Sequence, residues 1–434
     1  MSDLDKELAR VELSRRRFIQ GMALASAGLA VMGSGVAAAS RRGGAAGGVA
    51  PAAEGMTTVL GDALPDNAAA YDQQIYRAMI FTEPQHMERA AGVSGSGTYF
   101  PFYTTEPLTK LNEDMELVGA VAESWTPSAD GLTWTFKIRP GLAWSDGEAL
   151  DADDVVFTYQ RMADPTVAFD WSWFFLDIAN MDKCSAGELP VDQLGVRKVD
   201  DLTVEFTMVE PAPYFPDKTL MVTISPQHVI GTTDGPVDWS VDPATAVSGG
   251  PFKLASWDRG REIVFVANDM YKGVFRPYLK EIRLIVGAPE AVMTAYQDGE
   301  IDAVAFEGLN ISPADIAMAK GDPETWGLHF YDDWATYMLV FNNAMAPFDN
   351  TKVRQAIASA IDKDALAAAG GRDQSTPAFA LLGPGFPGHN PALKDVNSFD
   401  VAAAQALLAE AGYPGGEGLG ELECSTWGPL NPVR

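Results

Sequence analysis

The sequence is 434 residues long, with 59 acidic against 31 basic side chains and a formal net charge of −28. A surface that negative repels phosphate backbones and anionic lipid. This argues against nucleic-acid and membrane-surface binding, and leaves either a solvated acidic exterior or a preference for cationic ligands. At 47% hydrophobic and 21% charged residues the chain reads as globular, not disordered, and its length calls for two or three domains.

The first predicted element is an export signal. The stretch LSRRRFIQGMALASAGLAVMGSGVAAAS has a basic start, an uncharged run from Gly21 to Ala39, and small residues at Ala37 and Ala39 that form an A-x-A cleavage site. Ser14-Arg15-Arg16-Arg17-Phe18 resembles the twin-arginine consensus, and the Gly- and Ala-rich run suits that route better than a membrane span. Residues 1–39 are therefore set aside as a signal peptide and 40–55 as a flexible leader. The alternative is an uncleaved anchor. The expected location is the periplasm.

From Gly97 the aromatic stretch GTYFPFYTTEPLTKL reads as strand-like. In LTWTFKI, Thr133, Thr135 and Lys137 alternate with Trp134, Phe136 and Ile138, which predicts a half-buried strand. Asp130-Gly131 supplies the turn of a hairpin with the preceding segment. The run from Trp144 to Met162, WSDGEALDADDVVFTYQRM, places acids at 146, 148, 151, 153 and 154. It lacks the alternating ligands, central Gly and terminal Glu of a calcium loop. Asp146-Gly147 reads as a turn, and Asp151 with Asp154 as an N-cap and the acid three residues on, so that Val155, Val156 and Tyr159 begin a buried helix face.

Further strands are predicted in DLTVEFTMVEPAPYF, in the two arms around Asp258-Arg259-Gly260, and in YLKEIRLIVG. A helix and a short strand are predicted in APEAVMTAYQDGEIDAVAF. The last third turns helical. Val353, Ile357, Ala360 and Ile361 share one face of a helix capped by Asp349 or Asn350 and stopped at Gly370. A second helix starts at Asp400 and ends at Gly412, with Pro414 beyond it. Interleaved strands and helices make this a mixed α/β protein.

Five blocks in this order resemble the extracellular solute-binding proteins of ABC importers, specifically the peptide/nickel type of family 5. They are ELVGAVAESWTPSADGLTWTFKIRPGLAWSDGEALDADDVVFTYQRMADP, GGPFKLASWDRGREIVFVANDMYKG, AYQDGEIDAVAF, LVFNNAMAPFDNTKVRQAIASAIDKDAL and AQALLAEAGYP. ADPTVAFDWSWFF and the segment through PAPYF look like the oligopeptide-binding branch. The resemblance implies a two-lobed type II periplasmic binding protein of the large cluster, with an extra domain. Domain I would take 56–105 and 226–333, domain II, inserted into it, 106–225, and domain III 334–434. It also implies a monomer that closes on a peptide between its lobes and delivers it to an inner-membrane permease, with no cofactor. The same fold binding an oligosaccharide, an opine-like compound or a nickel or haem complex is the alternative. Family members continue past LLAEAGYP, through a D-Y-x-D-P-like segment whose Asp pairs with a peptide amino group. Here the chain ends at ELECSTWGPLNPVR, so the C-terminal part of the fold is expected to be missing, from a truncated frame or a fragment.

The resemblance makes Trp171 either a cleft aromatic or a core residue, and favours core positions for Trp173 and Phe174. It also makes 331–343 a strand entering domain III beside the ligand. Alternation puts Trp334, Thr336 and Met338 on one face and Asp333, Ala335 and Tyr337 on the other, and both faces are candidates. Asp333 would either meet a ligand cation or stand exposed at the hinge, and Tyr271 would be structural. The four histidines, at 86, 228, 329 and 389, are scattered, which argues against a metal cage. Cys184 and Cys424 could pair or stay separate thiols. Gly383 to Gly388 spells G-x-G-x-x-G, but its prolines fit a loop and not a dinucleotide turn. With no catalytic motif of either nucleophile or phosphate type, an enzyme is not expected.

Overall fold

A computed structural model describes residues 57–422, apart from 66–67, 93–99, 113, 115, 305–311, 327–335, 371–374, 384–388 and 397. The signal and leader, with Arg15, Arg16, Ala37 and Ala39, lie outside the described residues. So do His329, Asp333, Trp334, Cys424 and most of the 383–388 glycine motif. The chain divides into two compact units, one up to residue 329 and one from residue 330.

The first unit holds the strands β1 (Ile75–Ile80), β2 (Thr109–Leu111), β3 (Leu117–Gly119), β4 (Ala122–Pro127), β5 (Thr133–Ile138), β6 (Val196–Asp200), β7 (Thr203–Thr207), β8 (Phe252–Asp258), β9 (Glu262–Ala267) and β10 (Glu281–Val286). One four-stranded sheet runs β1-β10-β9-β8, and a second runs β4-β5-β7-β6. In the first, β1 lies parallel to β10 while the other pairs are antiparallel. That parallel pair brings together segments about 200 residues apart, and Ala303 adds a single bridge to Ala78 beside it. The second sheet is antiparallel throughout and uses only residues between 122 and 207.

The predicted alternation in β5 is the observed one. Trp134, Phe136 and Ile138 are buried, and Gly131 takes φ +72° in the hairpin turn, a conformation a side chain resists. Phe136 packs edge-on against Phe206 of β7 and Phe215, with centroids 5.4 and 6.1 Å away. The helix α1 (Ala152–Met162) lays Val155 and Tyr159 on this core, Tyr159 lying 4.7 Å from Phe206. Its start is the predicted capping box. The Asp151 carboxylate accepts from the Asp153 N–H at 2.8 Å, and Asp154 reaches back toward the Asp151 N–H at 3.4 Å. Asp154 is buried and also accepts from Trp144 Nε1 at 3.0 Å and the Gln227 N–H at 2.9 Å. The acidic run is a turn and a helix start.

Three expectations need correction. Pro101–Thr104 is a helical turn, not strand, because proline at its first position presets the helical φ; the strand begins only at Thr109. The helix expected through Gly370 is two, α2 (Thr351–Ala360), capped by Asn350, and α3 (Lys363–Gly370). The break at Ile361, with φ −93° and ψ 116°, turns Ala360 outward, so Val353 and Ala356 carry the buried face. Third, no strand forms over residues 336–342 among the described residues. The helix capped by Asp400, α4 (Val401–Glu410), is as read and packs on α2.

Replacing Asp151 by alanine removes one capping acceptor, and urea unfolding should show a loss of about 1 kcal/mol. Burial, opposed by its three N–H donors, pushes the Asp154 carboxyl up to about 6 from an ordinary value of 3.8. The folded state then holds a proton that the unfolded state releases. The stabilisation is complete below pH 3.8 and is lost as the pH rises through about 6. Against Asp154→Asn, which does not titrate, the wild type should lose about 3 kcal/mol across that window.

Candidate functional site

Trp171 is the candidate ligand residue that the first unit describes, and its surroundings are built on a buried ion pair. Arg161, near the end of α1, sits under the fold with Glu88 from the loop after β1, both essentially without solvent. Arg161 Nε lies 2.5 Å from Glu88 Oε1, and its second nitrogen 3.0 Å from Oε2. The remaining guanidinium nitrogen donates to the Thr233 carbonyl, while Glu88 also accepts from Ser225 Oγ at 3.2 Å and Trp239 Nε1 at 3.0 Å. Each charge is thereby hydrogen-bonded on every side it presents, the condition under which a buried pair is tolerated. His86 stands beside it. Burial, helped by Arg161 and opposed by Glu88, lowers its pKa, so the ring is neutral near pH 7.

Glu88 fixes the chain just before the short turn Arg89–Ala91, and this delivers Arg89 beneath Trp171. The buried guanidinium lies 4.6 Å from the Trp171 ring centroid and 5.9 Å from that of Phe169. Trp171 is half-buried and rests against the core of the second sheet, 6.4 Å from Phe174. It is therefore packed on one side and open on another. The core role read in the sequence fits its packed side. Phe174 packs partly into the core as expected, with Lys218 Nζ 4.8 Å over its ring and paired to Asp177. Trp173 does not: it is 65% exposed, because the short helical turn Ser172–Phe175 rotates it away from the core that Phe175 enters.

In the second unit Tyr337 and Met338 are exposed, at 84% and 54%, as are Leu339 and Val340 after them. Side chains on both faces of this segment are open, so the question of which face looks inward has no answer in the unit alone. Tyr271 is buried, its hydroxyl donating to Glu106 at 2.9 Å and accepting from the Phe275 N–H at 3.0 Å, a structural role. Cys184 carries a buried free thiol. Among the described residues no three His, Cys, Asp or Glu side chains converge on a metal-sized point. Arg89 was not singled out in the sequence. An arginine between Glu88 and two alanines carries no local mark of the aromatic that lies 82 positions on.

Residues 116–431 match the family model for bacterial extracellular solute-binding proteins, family 5. The chain belongs to that family. It is 31% identical over 304 residues to the periplasmic oligopeptide-binding protein OppA of Salmonella typhimurium, covering 68% of this chain and 54% of that one. It is also 31% identical over 310 residues to heme-binding protein A of Haemophilus influenzae, again covering 68% and 54%. Among solved structures it is similar to OppA of Burkholderia pseudomallei, with a TM-score of 0.64 at 24% identity over 79% of this chain and 67% of that one. The fold class is thus the mixed α/β one of the periplasmic binding proteins, as the sequence resemblance implied. This family 5 chain spans about half the length of the relatives it matches.

Removing one partner of the Glu88–Arg161 pair strands the other charge in the interior. Glu88→Gln should cost about 3 kcal/mol in urea unfolding. Asp153→Asn, which breaks the exposed pair of Asp153 with Lys198, should be nearly neutral in the same measurement.

Proposed function

We propose that this chain is the extracytoplasmic binding component of an ABC importer, that it binds oligo- or dipeptides, and that it passes them unmodified to a membrane permease. The observation that carries this reading is family 5 membership over residues 116–431, together with an oligopeptide-binding relative at 31% identity. The chemistry fits. A peptide backbone is common to all peptides, so a site built on main-chain bonds and half-open aromatics accepts many sequences, with water filling what side chains leave. Trp171, with Asp333, Trp334, Tyr337 and Met338, is the proposed ligand set.

The same reading makes the protein a periplasmic monomer exported by the twin-arginine route through Arg15 and Arg16, with cleavage after Ala39 at the A-x-A site that Ala37 and Ala39 form. It divides the chain into domain I (56–105 and 226–333), an inserted domain II (106–225) and domain III (334–434). The two four-stranded sheets support the first two, since one draws on both parts of domain I and the other lies wholly within 122–207. Haem is a second reading, favoured by the haem-binding relative at 31% identity.

Thermal unfolding separates the two. A pool of tri- to pentapeptides should raise the melting temperature, by about 3 kcal/mol of added stability at a hundredfold excess over Kd. Haem and simple sugars should leave it in place. A shift with haem and none with peptides would reverse the assignment. The titration is run on this chain and on a form extended to the length of its relatives.

A further inference from the structure

Tryptophans of the first unit that are buried or half-buried around its two sheets can be compared directly. Trp134, Trp144, Trp239 and Trp257 each donate their indole N–H to a protein acceptor: the Ala212 carbonyl, Asp154, Glu88 and Glu83, at 3.0, 3.0, 3.0 and 2.8 Å. Like Trp125, Trp171 differs from these four. Among the described residues its N–H meets no acceptor, and its ring is left half-open. One of its faces nevertheless meets a buried cation. The Arg89 guanidinium is 1% exposed and stacks 4.6 Å from the ring centroid, with Phe169, 4% exposed, behind the same cation.

We propose that Arg89 is a positioning residue for ligand binding. Its buried guanidinium sets the plane of Trp171, so that the outer face and the indole N–H are presented to the ligand as an apolar platform with one hydrogen-bond donor. This rests on the reading of Trp171 as a ligand residue and adds to it the part that sequence could not supply. A tryptophan held only by its edge would sample several rotamers, and each binding event would have to freeze one. A planar cation against one face removes that freedom before the ligand arrives. Arginine suits the task where lysine does not, because its flat, weakly hydrated fork stacks on an indole and keeps its charge when buried. The position of Arg89 is in turn set by its neighbour, whose carboxylate is held by Arg161, Ser225 and Trp239.

The protein labelled with 5-fluorotryptophan reports this by 19F NMR, the Trp171 resonance being the one that disappears in Trp171→Phe. In Arg89→Met that resonance should move by more than its line width while the other tryptophans stay in place, and Kd for tri-alanine should rise roughly three- to thirtyfold. Arg89→Lys keeps the charge but loses the flat stack, and should give a smaller displacement of the same resonance. It also serves if the methionine variant does not fold. An unmoved Trp171 resonance in the folded variant overturns the proposal, as does a moved resonance with unchanged tri-alanine affinity where tri-alanine perturbs wild-type Trp171. If tri-alanine leaves the wild-type Trp171 resonance unmoved while both variants displace it, Arg89 still orients the ring, but Trp171 leaves the ligand set.

Discussion

The first unit is organised around a charge pair that has no access to water. Glu88 comes from the loop after β1, Arg161 from the end of α1, and Ser225, Thr233 and Trp239 from the chain passing back toward β8. These passes belong to the surroundings of two different sheets, so the pair works as a pin where hydrophobic contact alone would tolerate sliding. Replacing such a network by apolar residues of equal volume need not weaken a protein, whereas leaving half of it in place does. What the ionic version adds is direction. The fork of Arg161 meets both oxygens of Glu88, so the backbone at residue 88 has one orientation, and Arg89 can only point under Trp171.

A second crossing lies close by in the chain. Pro107 pairs with Thr223, the Ile224 N–H donates to the Glu106 carbonyl, and the hydroxyls of Thr105 and Thr223 lie 2.7 Å apart. The Glu106 side chain is buried there with the Tyr271 hydroxyl and Lys110; burial raises its pKa and Lys110 opposes the rise. The two chain passes between residues 105 and 225 are thus stitched by backbone and hydroxyl bonds, and the buried ions lie to either side. Each polar group in such a junction would lose a partner on separation.

Much of this fold was legible wherever a local rule agreed with the tertiary outcome. The period-two pattern of β5, the Gly131 turn, the Asp151 box and the caps at Asn350 and Asp400 all answer to neighbours within a few residues. Errors fell where the decisive contact is distant or the backbone breaks its own pattern. Trp173 sits in an aromatic run that reads as core, but a 3₁₀ turn repeats every three residues and throws it outward. Ala360 follows the helical period until Ile361 leaves it. The family resemblance directed attention to Trp171, but no spacing rule links position 89 to position 171. Arg89 became visible only in space.

The segment from Thr336 to Asn342 makes the same point about strands. Its residues have high strand propensity, yet it is not a strand. A helix satisfies its backbone within itself, so α2 and α4 can form from their own sequence, caps and mutual packing. A strand cannot, since its N–H and C=O groups need a neighbour, and side chains that alternate across both faces need cover on both. Tyr337, Met338, Leu339 and Val340 are apolar on either side and exposed on either side. The described residues of the second unit provide helices but no partner ladder. Whether these residues line a binding surface is decided by whatever pairs with them, because the pairing register determines which alternate side chains face a ligand and which face the core.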